Sequence, residues 1–412
     1  MKTKKLKDYS ELYSEKIERI PKSFLREILK LTSGSDIISF AGGLPNPECF
    51  PIKNLRKAAE KILEEDMANT LQYSVSEGFL PLRNWIAENY RKKYGWDTLP
   101  EEILITNGSQ QGLDLLGKVF INRSDTILLE RPSYLGAIQA LSMYQPNFIT
   151  CGLEEDGINI SELQENLKYH TNKLTYLIPD FQNPTGICYS LEKRERIGKL
   201  FEDYNGVLVE DNPYGEINFT GKTQLPIKYF HNGASILLGT FSKVIAPGLR
   251  IGWIYANQKI INQLVIAKQA SDLHSNTFAQ KMIYNYLIQE DSSEHIYQII
   301  ETYKWNCDLM YEEIEKHFPS EIKIIKPEGG MFIWAQLPSY CNTWNLLSIC
   351  MERGVAFVPG ATFYLKGEEI HNSMRLSYSG SSTEEIKKGI QILGNTLHEF
   401  LQKNKKDYYE KA

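Results

Sequence analysis

Apolar and polar positions fall into alternating blocks along the chain. From about residue 100, short apolar runs are each followed by a stretch of helical period. "EILITNG" (102–108) leads into "SQQGLDLLGKVFI", "TILLERP" (126–132) into "SYLGAIQALSMY", and "LTYLIPDF" (174–181) into "LEKRERIGKLFEDY". "GVLVEDN" (206–212) and "SILLGT" (235–240) are further apolar runs ended by turn residues. This alternation predicts an α/β fold with a mostly parallel sheet covered by helices on both faces. Too few residues join "SILLGT" to "RIGWIYA" (250–256) for a parallel crossover. The two are therefore expected to pair antiparallel and to give the sheet one antiparallel strand. A long helical stretch follows, over roughly 257–317. The pattern then changes: "IKIIKPEGGMFIWAQL", "GVAFVPG" and "MRLSYSG" are strands with helices between them, which predicts a second, smaller α+β unit. "SDIISFAGGLPNP", near the start, reads as a segment crossing to that smaller unit.

The length, 412 residues, suits two domains of unequal size. A net charge of −5 provides no basic field for nucleic acid. There is no apolar run long enough to span a membrane, so no membrane partner is expected. The opening "MKTKKLKDYSELYSEKIERI" is basic but lacks the apolar segment of a secretory signal. Six cysteines without a C-x-x-C pair fit reduced thiols, and a cytoplasmic location is expected. The seven histidines are scattered singly, so no metal site is expected.

The candidate chemistry lies at the ends of the apolar runs. Lys243 sits in "GTFSKVIAPGLRIGW", a dry stretch between two buried strands. A lysine desolvated at a sheet's rim has a lowered pKa and becomes a usable amine nucleophile. "TNGSQQG" places Ser109 and Gln110 where a helix opens, a position that holds a phosphate or simply caps the helix. Asn183 in "DFQNPTG" and Asp211 and Tyr214 in "VEDNPYGE" follow two other strands; alone, they read equally as turn and capping residues. Thr240, Ser242 and Arg250 flank Lys243. Together these groups match a ligand with a phosphate, an aldehyde and a ring nitrogen kept protonated by Asp211. Pyridoxal 5'-phosphate has these three features.

The chain resembles the class I/II aminotransferases of the fold-type-I pyridoxal-phosphate enzymes, and within them the 2-aminoadipate and kynurenine aminotransferase branch. The motifs that carry the resemblance are "SFLREILKLT", "ISFAGGLPNPECFP", "LQYSVSEGFLPLR", "TNGSQQGLDL", "RPSYLGAIQA", "PDFQNPTG", "EDNPYGEI", "GTFSKVIAPGLRIGW", "PEGGMFIW", "VAFVPG" and "MRLSYS", in that order. The resemblance implies roles. Lys243 is the lysine that carries the cofactor as a Schiff base, Asp211 the partner of the pyridine nitrogen, and Tyr134 the aromatic stacked on the ring. Asn183 and Tyr214 face the phenolic oxygen. Ser109, Gln110, Thr240, Ser242 and Arg250 form the phosphate cup, with threonine at 240 where the family often has serine. Arg375 grips the substrate α-carboxylate. Tyr73 reaches the neighbouring subunit's site, which implies a homodimer with shared active sites. Gly42 leaves room for a long substrate side chain, and Arg26, on a short amphipathic helix, meets its distal end.

The pattern along the chain divides it into residues 1–50, an arm joining the small domain, 51–300, the large cofactor-binding domain, and 301–412, the small domain. The expected reaction transfers the amino group of an L-amino acid to a 2-oxo acid, 2-oxoglutarate, with 2-aminoadipate, aromatic or broad donor specificity. A β-lyase or decarboxylase on the same scaffold is the alternative.

Overall fold

The computed structural model describes residues 9–18, 20, 24, 27–28, 36–231, 233–289 and 292–411. Its main sheet contains β2 (Ile103–Thr106), β3 (Thr126–Arg131), β4 (Asn147–Glu154), β5 (Gly157–Ile158), β6 (Asn172–Leu177), β7 (Val207–Asp211), β8 (Ser235–Thr240) and β9 (Gly252–Tyr255), following a short β1 (Ile38–Ser39). The strand order is β2-β9-β8-β7-β6-β3-β4-β5. From β8 through β4 every pairing is parallel. β9 runs antiparallel to both β8 and β2, as its short connection requires. The two-residue β5 adds a second antiparallel edge beside β4, which the sequence pattern did not announce.

Neighbouring residues on each strand feed opposite cores, because side chains alternate across a sheet. Val207 and Val209 pack with Leu113, Leu116, Ile138 and Ile261 of the helices on one face. Leu208, between them, packs with Ile197 and Phe201 on the other face. Burial on both faces explains why these strands read as continuous apolar runs.

The second unit is an antiparallel sheet of β10 (Lys323–Ile324), β11 (Phe332–Gln336), β13 (Val358–Pro359) and β14 (Ser373–Ser377), in the order β10-β11-β14-β13. β1 pairs in parallel with β12 (Val355–Ala356), so the N-terminal segment does cross to this unit. Phe24 packs edge-on against Trp344 of this unit, with ring centroids 4.3 Å apart.

The expected long helical stretch is three helices: Gln258–Gln269, Thr277–Leu287 and Ser292–His317. The breaks fall at polar, poorly helix-forming segments such as "SDLHSN". The third helix is continuous through residue 300, where the sequence suggested a division. Its Ile299 and Tyr303 share one core with the smaller sheet.

Candidate active site

β2, β3, β6, β7 and β8 all end on the same rim of the main sheet. The loops beyond them surround a cavity of about 420 Å³. Ser109, Gln110, Tyr134, Asn183, Asp211, Tyr214, Thr240, Ser242, Lys243, Arg250 and Arg375 all line it. Most of these side chains come from strand ends far apart in sequence that the parallel topology brings to one rim, and Arg375 is added from the smaller sheet.

Lys243 lies just beyond β8. Its Nζ donates to the carbonyl of Gly43, 3.0 Å away, and sits over the Tyr214 ring at 5.6 Å from its centroid. Burial, together with the positive charges of Arg375 and Arg250, lowers its pKa from 10.5 to about 8. Asp211, the last residue of β7, is 2% exposed. Its Oδ2 accepts a hydrogen bond from the Tyr176 hydroxyl at 2.7 Å, and its Oδ1 has no partner among the described residues. Burial raises its pKa from 3.8 to about 6, against the opposing pull of Tyr176. A buried carboxylate oxygen without a donor is costly unless a ligand supplies one.

Arg375 comes from β14, on the smaller sheet, and is 1% exposed. Its guanidinium carbon lies 4.2 Å from the Phe332 ring centroid and 4.9 Å from that of Phe363. Nη1 donates to Asn183 Oδ1 at 2.9 Å, Nη2 donates to the Ala41 carbonyl at 2.8 Å, and Nε has no partner among the described residues. Burial lowers its pKa to about 10, which leaves it cationic at neutral pH. Asn183 in turn donates from Nδ2 to the Tyr214 hydroxyl at 3.2 Å.

The cavity's other end is built from backbone and hydroxyls. The Ser109–Phe120 helix opens here; Gly108, at φ +75°, holds the cap position, so Ser109 is the first helical residue. A Cβ on Gly108 would meet Arg250 Nη2 at 2.5 Å, so only glycine admits the guanidinium that donates to the Asn107 carbonyl. Thr240 Oγ1 donates to Ser242 Oγ at 2.9 Å and accepts from the Ser242 N–H at 3.1 Å. Helix N–H groups, hydroxyls and an arginine form a ready anion site. Along one side, the Tyr134 hydroxyl meets Gln110 Oε1 at 3.4 Å, and Gln110 Nε2 donates to the Gly136 carbonyl at 2.8 Å.

Two expected site residues do not line the cavity. Gly42 is half-buried beside the cavity, whose wall is formed by its neighbour Gly43. Tyr73 is 80% exposed and outside the cavity, edge-on to His274. Arg26 is outside the described residues. The sequence did not point to Tyr176, the Gly43 carbonyl or Phe332. Tyr176 reads as one more core residue of an apolar strand, and a backbone carbonyl has no residue signature.

The aminotransferase class I and II family model matches residues 36–393. An aromatic-amino-acid aminotransferase from Thermococcus litoralis is 42% identical, over 96% of this chain and 96% of that protein. A 2-aminoadipate transaminase from Thermus thermophilus is 40% identical, over 94% of this chain and 97% of that protein. Among solved structures, an α-aminoadipate aminotransferase from Thermus thermophilus, complexed with N-(5'-phosphopyridoxyl)-L-leucine, superposes with a TM-score of 0.89. It is 38% identical, over 96% of this chain and 99% of that one. The chain belongs to the class I and II aminotransferases. It is a pyridoxal-phosphate enzyme with the fold-type-I architecture.

Proposed function

We propose that the protein transfers the amino group of an L-amino acid to 2-oxoglutarate, with aromatic amino acids and 2-aminoadipate as donors. The observation that carries this reading is the pairing of Lys243 with the half-satisfied Asp211 in one cavity that also holds a buried, incompletely paired Arg375. Bound pyridoxal phosphate supplies an aldehyde for an amine and a protonated ring that takes up electron density from the substrate α-carbon.

The residues fit that group. The free Oδ1 of Asp211 calls for a cationic N–H, and Tyr176 holds the carboxylate in place. Ser109, Gln110, Thr240, Ser242 and Arg250 suit the phosphate. Tyr134 packs so close to Gly136 that any Cβ there would meet its ring at 2.5 Å, and it serves as the stacking surface. Asn183 and Tyr214 suit the phenolic oxygen.

Lys243, with a pKa near 8, is partly neutral at physiological pH. A neutral amine beside the substrate α-carbon removes a proton there and returns it elsewhere. Arg375 binds the substrate α-carboxylate; its flanking aromatic rings exclude water and fix the orientation of the planar fork. Asn183 ties Arg375 to Tyr214, so substrate and cofactor positions are coupled.

The enzyme works in the cytoplasm as a homodimer, with Tyr73 entering the partner's site. The exposed run Met67, Leu71, Tyr73 and Val75 supports such an interface. Donor choice follows the relatives named above, with Gly42 and Arg26 on the side-chain end. The test is turnover with a panel of L-amino acids in the presence and absence of 2-oxoglutarate. Formation of one glutamate per 2-oxo acid released supports the reading. Release of ammonia or carbon dioxide without an acceptor identifies a β-lyase or decarboxylase instead.

A further inference from the structure

Glu130, on β3, is 1% exposed and does not line the active-site cavity. Its Oε1 accepts from the Ile178 N–H at 2.9 Å and from the Tyr189 hydroxyl at 2.7 Å, and its Oε2 accepts from Gln182 Nε2 at 2.9 Å. Gln182 has no spare hydrogen-bonding capacity. Its Nε2 also donates to the Pro132 carbonyl at 2.9 Å, and its Oε1 accepts from the Thr185 N–H at 2.9 Å and the Thr185 hydroxyl at 2.7 Å. Turning that amide over would set oxygen against the Pro132 carbonyl and N–H against the Thr185 N–H. The amide is therefore held one way round, and both oxygens of residue 130 have to accept from N–H donors.

We propose that Glu130 is a positioning residue that, through Gln182, clamps the loop presenting Asn183 to Arg375 and Tyr214 against the turn presenting Tyr134. The covalent path is short. Gln182 precedes Asn183 directly, and Pro132 lies two residues before Tyr134. Ile178, whose N–H is the third tie, lines the cavity. One buried carboxyl thus joins the loops that follow two neighbouring parallel strands, β3 and β6, both of which supply lining residues of the cavity. The inference rests on the functional reading above, in which Asn183 and Arg375 act on cofactor and substrate.

The first variant is Glu130→Gln. It keeps the shape but has one accepting side, so an NH₂ must face either the Ile178 N–H or the Gln182 N–H. An unmatched buried donor is enough to shift binding by about tenfold. The holoenzyme is titrated with α-methylglutamate, which lacks the α-proton and cannot react onward. Its Kd and the KM for glutamate are expected to rise about tenfold, with kcat changing much less. Amide hydrogen exchange of residues 178–187 is expected to speed up while β3 stays protected.

On an Asn183→Ala background, Glu130→Gln should add about twofold or less, because the two changes break one path. If Glu130→Gln does not fold, Gln182→Ala cuts the same link, leaves the Ile178 and Tyr189 bonds intact, and carries the same expectations. Unchanged Kd, KM and loop exchange in a folded variant overturn the proposal. Full additivity with Asn183→Ala overturns the route through Asn183. A wild-type enzyme that exchanges no amino groups defeats the functional reading alone, and loop exchange then still decides whether Glu130 clamps the loop.

Discussion

Asp211→Asn separates a functional carboxylate from a structural one, because the two roles predict opposite effects on stability and turnover. The substitution keeps the shape and retains an oxygen for the Tyr176 hydroxyl. In the ligand-free protein, the climb of the Asp211 pKa from 3.8 to about 6 on folding is equivalent to about 3 kcal/mol. The sign follows from the direction. A carboxyl whose folded pKa is raised is destabilising above about pH 6, and this penalty fades as pH falls towards 3.8. Asparagine removes the penalty but leaves one buried N–H unmatched, at a cost of about 1–3 kcal/mol. The apo-protein at pH 8 should therefore be unchanged or more stable by up to about 2 kcal/mol. The loaded enzyme loses a charge pair at the ring nitrogen, worth about 4 kcal/mol at an interior effective dielectric near 20, or roughly a thousandfold in kcat. Urea unfolding of the apo-protein and steady-state turnover of the loaded enzyme check the two halves. A variant that loses stability at pH 8, or keeps turnover within about tenfold, refutes the reasoning.

Three further outcomes follow from the same geometry. Arg375→Lys replaces a planar fork bonded to Asn183 and the Ala41 carbonyl with a point charge; KM for amino donors should rise about 10- to 100-fold, measured by steady-state kinetics, and a KM within twofold counts against carboxylate binding there. In the apo-protein, labelling of Lys243 by trinitrobenzenesulfonate should rise with pH through a midpoint near 8, since only the neutral amine reacts; Arg250→Gln should move that midpoint upward, because Arg250 helps to lower it, and an inflection near 10.5 contradicts the desolvated site. Tyr73→Ala should lower turnover although Tyr73 lies outside its own subunit's cavity, and light scattering that finds a fully active monomer refutes the shared site.

Much of this site was legible because chemistry and topology coincide. The short link between "SILLGT" and "RIGWIYA" forced β9 antiparallel and placed Lys243 on the rim before any contact was known. Asp211 ends an apolar strand, Asn183 and Tyr214 lie in the loops beyond two such strands, and parallel strands carry their ends to one edge. What stayed hidden depends on long-range packing. Gly43 acts through a carbonyl, Tyr176 through a hydroxyl on an apolar strand, and Phe332 through a ring contributed by the smaller sheet. Glu130 was equally silent, since a lone acid in "TILLERP" has no partner until the loop after β6 folds over it. The helix breaks within 257–317 were missed because the apolar period continues on both sides of each short polar gap.

The central claim is that Lys243 holds the cofactor covalently, and the most direct test is borohydride reduction of the purified enzyme followed by peptide mass spectrometry. The account predicts one pyridoxyl-labelled lysine, Lys243, in a yellow protein. Lys243→Ala should lose the label, the colour and transamination together. A label on another lysine, or full turnover by Lys243→Ala, would contradict it.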